Sequence, residues 1–342
     1  MRGTDGNSKH RVVVIPGDGI GPEVTEATRQ VIDATGVVIA WQTFQVGARA
    51  LEAHGTPLPQ GVVEAIRENG VALKGPVTTP IGTGFSSATV AMRKQLDLYA
   101  NLRPVKTIPG APSRYEHVDL VVVRENTEGL YCGTEIRVDD GTRVALNRVT
   151  REASRRIAGF AFNYARRHSR RTVTAIHKAN ILKDTDGLFL ECAREVSRDY
   201  PDVEYGERIV DALCTDLVVD PARHDVLLCP NLYGDIISDL AAGLVGGLGT
   251  VSGANIGDEA AVFEAVHGSA PDIAGQGIAN PTALILAGAM MLEYLGESEA
   301  AQGIEDSVRR LYADGKTLTP DVGGNATTKE MAKALVGYLQ QP

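Results

Sequence analysis

Residues 11–34 read RVVVIPGDGIGPEVTEATRQVIDA, and this stretch decides the class of fold. Residues 11–16 are an apolar, β-branched run, which predicts a buried strand that ends at Pro16. The glycines of GDGIG follow, and Pro22 stands near the first turn of an amphipathic helix predicted over 22–34. Strand, glycine-rich turn and helix in this order indicate an α/β protein.

The same alternation continues along the chain. Further helices are predicted over 61–69, 87–98, 150–167, 185–198, 211–219, 281–295, 297–313 and 327–340, and strands over 71–74, 118–123, 171–176, 207–210 and 225–229. Asp139-Asp140-Gly141 marks a hairpin turn within 133–148. The glycine- and alanine-rich residues 240–257 predict a closely packed helix followed by a loop. Alternating strands and helices predict a largely parallel sheet.

The GDGIG turn invites comparison with the Rossmann dinucleotide fingerprint, GxGxxG, but does not fit it. The third glycine, Gly21, comes one residue early, and Pro22 follows it at once. The nearest acid, Asp33, lies inside the predicted helix instead of at the end of the next strand. We therefore expect a tight turn between strand and helix, not a Rossmann site.

Composition and charge exclude some classes of function. The chain of 342 residues has room for two domains, and its formal net charge of −9 argues against nucleic acid as a partner. An anionic substrate would need local arginines or a metal. No stretch has the apolar length of a membrane span, residues 1–10 show no leader pattern, and the cysteines lack CxxC spacing. These features predict a cytoplasmic protein without membrane partners.

Residues 231–239, NLYGDIISD, place two aspartates four residues apart. Asp235 and Asp239 would share one face of a helix, so both carboxylates can converge on one point. Close carboxylates repel unless a cation or a proton joins them, and oxygen ligands suit Mg²⁺ or Mn²⁺ rather than zinc. The alternative is an N-capping aspartate with a solvated partner one turn later.

Three arginines stand near predicted element boundaries: Arg93 on a helix, Arg103 in NLRP and Arg124 at a strand end. Guanidinium groups bind carboxylates in bidentate fashion, which suits a di- or tricarboxylic acid. Ser87 and Thr89 precede Arg93 by six and four residues. Their hydroxyls could bind a further substrate oxygen or cap the helix.

Tyr131 and Lys178 are candidate proton carriers. A lysine near a metal or other cations can have a pKa low enough to act as a base, and a tyrosine can donate a proton to a carbanion. The alternatives are an aromatic at the edge of the core for Tyr131 and a solvated strand end for Lys178. Spacing alone leaves both alternatives open.

Nine motifs in order resemble the β-decarboxylating dehydrogenases of 2-hydroxy acids, the isocitrate and isopropylmalate dehydrogenase family. They are IPGDGIGPEV (15–24), LKGPVTTPIGTG (73–84), LDLYANLRPVK (96–106), RENTEGLY (124–131), HKANILK (177–183), NLYGDIISD (231–239), GANIG (253–257), FEAVHGSAPDIAGQGIANPTA (263–283) and DVGGNATT (321–328). The resemblance implies a non-Rossmann fold of two α/β domains with a central sheet and a clasp at a dimer interface. The implied large domain is 1–98 with 247–342, and the small domain is 99–246, with the clasp at about 129–150.

The resemblance also implies roles for individual residues. Asp235 and Asp239 would bind Mg²⁺ or Mn²⁺ together with Asp211 from the other subunit of a homodimer. Lys178, also from the other subunit, would help to deprotonate the C2 hydroxyl, and Tyr131 would protonate the enolate left after CO₂ departs. A small polycarboxylate substrate would contact Ser87, Thr89, Arg93, Arg103, Arg124 and Asn180.

NAD is the implied cofactor. Asp272 occupies the position at which NAD-using members bind the adenosine ribose hydroxyls, and a carboxylate there would repel the 2′-phosphate of NADP. NADP-using members typically place Lys-Tyr where this chain has Asp272-Ile273. The other implied cofactor contacts are Thr79, His267, Gly268, Ala270, Ile273 and Asn280.

The chain looks most like NAD-dependent isocitrate dehydrogenases, enzymes of the tricarboxylic acid cycle that form 2-oxoglutarate and CO₂. Isopropylmalate enzymes place Glu and Leu where this chain has hydroxyls. Isocitrate enzymes typically match Ser87 but have Asn at the position of Thr89, and Ser86 adds another hydroxyl. Homoisocitrate, a distal phosphonate analogue and 3-isopropylmalate therefore remain alternative substrates.

A non-enzyme role, as the regulatory subunit of a hetero-oligomer, is a further alternative. The complete set of catalytic residues disfavours it.

Overall fold

The computed structural model describes residues 10–79 and 87–341. The strands are β1 (His10–Ile15), β2 (Ile39–Thr43), β3 (Val71–Lys74), β4 (Ala100–Lys106), β5 (Asp119–Glu125), β6 (Glu135–Arg137), β7 (Arg143–Ala145), β8 (Thr172–His177), β9 (Glu204–Ile209), β10 (Val226–Cys229), β11 (Ser252–Ile256) and β12 (Ala261–Ala265). The helices are α1 (Gly21–Asp33), α2 (Ala48–His54), α3 (Gln60–Asn69), α4 (Ala88–Gln95), α5 (Arg151–Arg167), α6 (Thr185–Ser197), α7 (Val210–Val219), α8 (Asn231–Leu244), α9 (Thr282–Tyr294), α10 (Ser298–Asp314) and α11 (Thr328–Leu339).

One ten-stranded sheet runs through the protein in the order β2-β1-β3-β12-β11-β4-β5-β10-β8-β9. The α/β class and the central sheet are confirmed. The sheet is parallel on both flanks, but the three central pairs, β12–β11, β11–β4 and β4–β5, are antiparallel. Six of the nine strand pairs in the described sheet are parallel, so the prediction of a largely parallel sheet is confirmed. The pair β11–β12 is antiparallel because the short connection over 257–260 can join only a hairpin.

Five elements are absent from the sequence prediction: β2, α2, β4, β11 and β12. The polar side chains of Asn101 and Arg103 and the ring of Pro104 interrupt the apolar pattern of β4, so the sequence does not predict a buried strand there. β11 consists largely of small residues and falls where a loop was expected. The predicted hairpin is confirmed as the β6–β7 pair, which stands apart from the main sheet.

The GDGIG turn is tied to two distant loops. Gly17 has φ +78° and Gly19 has φ +58°, and a Cβ on either would lie 2.0 Å from a backbone oxygen, of Pro76 and of Ser269 respectively. Asp18 N donates to Pro76 O over 2.8 Å, and Ile20 N donates to Ser269 O over 2.9 Å. Only glycine allows this approach. The turn thus holds the Gly75-Pro76 and Ser269 loops together at one end of the sheet.

Residues 99–246 supply β4, β5 and β8–β10, whereas the rest of the chain supplies β1–β3, β11 and β12. The two groups of strands meet where β4 pairs with β11. The division into two domains stays a prediction. Over the ranges 10–79 and 87–341, no helix combines the length and apolar character needed to cross a membrane.

Candidate active site

Asn231, Asp235 and Asp239 form a stripe along α8, one helical turn apart, which we call the α8 stripe. The helix begins directly after buried β10, and Gly234, Ile237 and Ser238 on its inner side are buried. The N-cap is Pro230, and Asp235 lies in the second turn, so the alternative of an N-capping aspartate is wrong. The stripe faces the edge of the core, where carboxylates need cationic partners.

Two buried arginines from neighbouring strands face the α8 stripe. Asn101 is paired with Arg124 in the β4–β5 register, so Arg103, two residues after Asn101, lies on the same face. Arg103 Nη1 lies 3.1 Å from Asp239 Oδ1, and its Nη2 lies 3.4 Å from Asp235 Oδ1. Arg124 Nη1 donates to Asp235 Oδ1. The structure therefore brings Arg103 to both Asp235 and Asp239, and Arg124 to Asp235.

Tyr131 belongs to the same cluster. It lies in a short 3₁₀ helix, Leu130–Cys132, and its hydroxyl donates to Asp235 Oδ2. The guanidinium carbon of Arg124 is 4.9 Å from the centre of the tyrosine ring, within cation–π range. Burial and the neighbouring Asp235 raise the pKa of Tyr131 above its ordinary value. The phenol therefore keeps its proton and holds it at the centre of the cluster.

The pKa values of Asp235 and Asp239 shift in opposite directions. Burial opposes ionisation of Asp235, but Arg124 and the Tyr131 hydroxyl outweigh it and hold the pKa of Asp235 below its usual value. Burial and the nearby negative charge of Asp235 raise the pKa of Asp239. The pKa of Arg124 falls to about 10, because burial and the other two arginines disfavour its charge. Both carboxylates share Arg103 as a partner, and Arg124 lies closer to Asp235.

Arg93 approaches from α4 and lines a cavity of about 190 Å³ together with Thr89, Arg103 and His267. Its Nη2 donates to Glu264 Oε1 over 3.0 Å, and its buried Nε has no hydrogen-bond partner among residues 10–79 and 87–341. Ser87 caps α4 by accepting a hydrogen bond from Val90 N over 3.3 Å. Of the two roles open to Ser87, the structure shows the helix cap, and the substrate contact stays a prediction; Thr89 lines the same cavity as Arg93. Ser86 lies outside the described residues.

Sequence reasoning missed the buried charges that surround this cavity. Glu264 is 7% exposed and pairs with Lys74, 3% exposed, over 2.7 Å. Asn255 Nδ2 adds a hydrogen bond of 2.6 Å to the same carboxylate. A lone charge in an apolar strand, VALK for Lys74 and AVFEA for Glu264, is the signal that could have identified both residues.

Lys178 and Asp211 form an ion pair with each other, at the end of β8 and the start of α7. Neither makes a hydrogen bond or an ion pair to the α8 stripe within the part of the chain that the structure describes. Asn180, also predicted to bind substrate, is exposed in the turn after Lys178. In residues 10–79 and 87–341, no three His, Cys, Asp or Glu side chains converge as metal ligands. A single chain therefore brings together two of the three predicted metal ligands.

The predicted cofactor residues lie along the loop after β12 and near the GDGIG turn. His267 Nε2 is buried and has no hydrogen-bond partner in the part of the chain that the structure describes, and burial lowers the pKa of the ring. Ala270 has φ +39°, the left-handed region that non-glycine residues rarely adopt. Thr79, Gly268 and Asp272 are exposed, and Ile273 is half-buried.

Asn280 is occupied by the protein itself. Its Nδ2 donates to Tyr312 OH and Asp321 Oδ2, and its Oδ1 accepts from Thr282 N. These bonds lie between 3.0 and 3.1 Å. Its side chain therefore supports the loop rather than extending toward a ligand.

Buried arginines, paired carboxylates and a hydrogen-bonded phenol form one polar cluster, which is the kind of arrangement found in enzyme active sites. The sequence matches the family described as isocitrate/isopropylmalate dehydrogenase over residues 11–335. The chain belongs to this family.

Isocitrate dehydrogenases and 3-isopropylmalate dehydrogenases both match nearly the whole chain. An isocitrate dehydrogenase [NAD] catalytic subunit 5, mitochondrial, of Arabidopsis thaliana is 50% identical, covering 95% of this chain and 87% of the relative. A chloroplastic 3-isopropylmalate dehydrogenase of Solanum tuberosum is 50% identical over 90% of this chain and 86% of its own length. The crystal structure of isocitrate dehydrogenase from Methylococcus capsulatus is 53% identical with a TM-score of 0.95, covering 97% of this chain and all of that one. The predicted enzyme class, an NAD-dependent β-decarboxylating dehydrogenase, is confirmed.

The predicted cytoplasmic localisation is wrong. Similar isocitrate dehydrogenase subunits from Arabidopsis thaliana, Caenorhabditis elegans and Drosophila melanogaster are mitochondrial proteins, which points away from the cytoplasm. The prediction rested on a leader pattern not being recognised in residues 1–10. An absence of that kind carries no positive information about the compartment.

Proposed function

We propose that this chain catalyses the oxidative decarboxylation of isocitrate to 2-oxoglutarate and CO₂, with NAD as hydride acceptor and Mg²⁺ or Mn²⁺ as metal. One observation carries the proposal, the convergence of Arg103, Arg124, Tyr131, Asp235 and Asp239. The cluster offers cations for a polycarboxylate, paired oxygens for a metal and a proton donor, which together match this reaction.

The arginines supply the positive charge that the protein as a whole lacks. Arg93, Arg103 and Arg124 are each less than 10% exposed, so their charges act through a medium of low polarity. Arg93, which lines the cavity, would bind one end of the substrate, while Arg103 and Arg124 would bind carboxylates beside the α8 stripe. A polyanion can thus enter a protein of net charge −9.

Proton movement is assigned to Tyr131 and Lys178. The Tyr131 hydroxyl is held by Asp235 and stays protonated, so it is suited to give a proton to the carbanion that remains when CO₂ departs. Lys178 would take the proton of the C2 hydroxyl, and Asp211 keeps its side chain oriented.

The carboxylates of the α8 stripe fit a hard divalent cation. Asp239 is about half exposed and contributes one oxygen to Arg103, which leaves the other available. Asp235 and Asp239 of one chain and Asp211 of another would hold the ion. When bound, such a cation draws electrons from the bond to the departing carboxylate.

The loop after β12 fits a dinucleotide. His267 lines the substrate cavity, and Asp272 presents an exposed carboxylate to ribose hydroxyls. No atom of the described residues lies within 4 Å of the position that a Cβ on Gly268 would take. Thr79, Ala270, Ile273 and Asn280 complete the proposed NAD site, Asn280 through its backbone. NAD itself accepts the hydride from C2.

We propose a homodimer with shared active sites. Among the described residues, Lys178 and Asp211 make no hydrogen bond or ion pair to Tyr131 or the α8 stripe of their own chain, so a second chain would supply them. Exposed apolar side chains mark the expected contact surface, with Leu130, Ile136, Val138, Val144 and Leu146 on the proposed clasp and Ile181, Leu182, Val218, Val219 and Ile236 beyond it. A mitochondrial regulatory subunit of an NAD isocitrate dehydrogenase from Dictyostelium discoideum is 50% identical, so assembly with a different subunit is the competing arrangement.

The choice of substrate rests on Thr89 and Ser87. Thr89 lines the cavity beside Arg93, and a hydroxyl there suits a carboxylate better than an isopropyl group. Homoisocitrate, a distal phosphonate analogue and 3-isopropylmalate are the competing substrates.

The test is NADH formation by the purified chain with Mg²⁺ and each of the four substrates. We expect the highest kcat/KM with isocitrate and no turnover after chelation, with Mn²⁺ restoring activity. A higher kcat/KM for another substrate would move the assignment to that compound. No turnover of any substrate by a folded protein that still binds isocitrate would indicate a regulatory role.

A further inference from the structure

Asn231 is the member of the α8 stripe to which the proposed function gives no role. It is 2% exposed and lies one turn before Asp235. We propose that Asn231 is a positioning residue that fixes the guanidinium of Arg124 edge-on and leaves only the terminal nitrogens of Arg124 for the substrate. This inference rests on the proposed function, because it gives Arg124 a substrate to bind.

The contact between the two side chains covers a whole edge of the guanidinium. Asn231 Oδ1 accepts from Arg124 Nε over 3.0 Å and from Arg124 Nη2 over 2.7 Å. A guanidinium has two edges that can grip a carboxylate, the Nε–Nη2 side and the Nη1–Nη2 end. Asn231 closes the side edge, so a substrate carboxylate would have to use the remaining N–H groups of Nη1 and Nη2 at the end.

The other contacts of Arg124 fix its rotation. Its Nη1 donates to Asp235, one turn along the α8 stripe, and its guanidinium lies near the ring of Tyr131. With Nε, Nη1 and Nη2 all engaged, rotation about the last side-chain bonds would break at least one hydrogen bond. The end of the guanidinium therefore keeps one direction, beside the proposed metal ligand and the proton donor.

Asn231 is itself held from the opposite side. Its Nδ2 donates over 2.9 Å to the backbone oxygen of Glu128, in the loop that joins Arg124 to Tyr131. Both carboxylate oxygens of Glu128 are bound 2.8 Å from Thr150, at the start of α5. The amide of Asn231 therefore links this loop to Arg124 by hydrogen bonds on both sides, and these bonds prevent its rotation.

An amide suits this position better than a carboxylate. Both present an oxygen to Arg124, but a carboxylate would add a second negative charge to the one from Asp235. Arg124 would then hold less positive charge for an anionic substrate. Asn231 therefore orients the guanidinium without neutralising it.

The first experiment needs no turnover. In protein labelled with ¹⁵N-arginine, the Nε–H signal of Arg124, assigned by its loss in Arg124→Lys, should exchange slowly with water. In Asn231→Ala it should exchange rapidly or vanish, and in Asn231→Asp it should stay protected, because the acceptor remains. An unchanged signal in Asn231→Ala, or a lost one in Asn231→Asp, would overturn the inference.

The second experiment is kinetic. Asn231→Ala should raise the KM for the substrate by about tenfold and change kcat by less than about threefold, since substrate binding is disturbed more than the chemical step. Asn69→Ala, which removes an amide hydrogen bond to Gln42 far from the site, is the control and should change neither. An unchanged KM in Asn231→Ala would contradict the inference even if the wild type is active. A wild type without turnover would refute the proposed function alone, and the arginine signals would still decide the role of Asn231.

Discussion

Arg93 and Glu264 are joined by a hydrogen bond of 3.0 Å between Nη2 and Oε1, across 171 residues of chain. Glu264 also pairs with Lys74, so one buried carboxylate holds two cations beside the substrate cavity. Because Glu264 accepts a hydrogen bond from Nη2, it fixes the position of the Arg93 guanidinium at the wall of the cavity. The cavity thus depends on a residue of β12 that is not predicted to touch the substrate.

Removal of this charge should destabilise the protein. Glu264→Gln leaves Lys74 and Arg93 buried without their counter-charge, which we expect to lower the free energy of unfolding by about 3–5 kcal/mol. Urea denaturation measures the change. Glu68→Gln breaks an exposed pair with Arg11 and should cost less than about 1 kcal/mol. Equal losses in the two variants would show that Glu264 is not a structural counter-ion.

Glu264 should also make the free energy of unfolding depend on pH. Burial would raise the pKa of Glu264, but Lys74 and Arg93 hold it well below its usual value. In the unfolded chain the group titrates at about 4.3. Its stabilising contribution is therefore complete above that pH and is lost progressively below it, because the unfolded state takes up the proton first. The difference in unfolding free energy between wild type and Glu264→Gln should shrink as the pH falls below about 4, and a constant difference would contradict the assignment.

Gly234 allows α8 to lie against Arg124. A Cβ at this position would sit 2.6 Å from both Cβ and Cγ of Arg124, too close for the stem of that side chain to yield. Gly234→Ala should displace the α8 stripe, lower kcat/KM by about tenfold or more and cost about 1–3 kcal/mol of stability. Gly243→Ala, on the same helix with no atom within 4 Å, should retain activity and gain up to about 1 kcal/mol. Similar activities in the two variants would exclude close packing as the reason for Gly234.

Cofactor choice can be tested at Asp272. Asp272→Asn removes the charge expected to repel the 2′-phosphate of NADP, and Asp272→Lys reverses it. Both should weaken the use of NAD and improve that of NADP, with Asp272→Lys shifting the ratio of kcat/KM values by about tenfold or more. The KM for isocitrate should stay close to that of the wild type. An unchanged NAD/NADP ratio in both variants would disprove the ribose assignment.

The shared active site can be tested by mixing two inactive variants. Lys178→Met should lose the base and Tyr131→Phe the proton donor, each lowering kcat by about 10²–10⁴-fold. If Lys178 acts in the site of the second chain, each hybrid dimer has one intact site, and a one-to-one mixture after subunit exchange should recover about a quarter of wild-type activity. No recovery in confirmed hybrids would place Lys178 and Tyr131 in the same chain's site.

Local sequence patterns were sufficient to predict features that lie within a single helix or a single strand–turn–helix unit. The strand, turn and helix of residues 11–34 and the spacing of Asp235 and Asp239 are set by short-range periodicity, and the structure matches both. That Arg103 and Arg124 face α8 could be predicted only from the order of the strands in the sheet. The sequence does not give that order, because Pro104 and its polar neighbours keep β4 from being recognised as a strand.

Contacts between distant segments could not be read from the sequence. Glu264 and Arg93 belong to separate motifs, and nothing in the spacing of either shows that they meet. Asn231 begins the most informative motif, yet its link to Arg124 depends on how closely α8 approaches β5. Such pairings depend on tertiary packing, which local propensity does not encode.

The position of the β11–β12 hairpin at the centre of the sheet bears on how the protein is made. β3 and β4 emerge early from the ribosome, but their partners toward the centre, β12 and β11, lie at 261–265 and 252–256. Until residue 265 has been synthesised, the early strands keep open edges that could pair with other nascent chains. Assembly of the sheet therefore depends on late, long-range pairing, which makes folding slow and gives chaperones a defined interval in which to act.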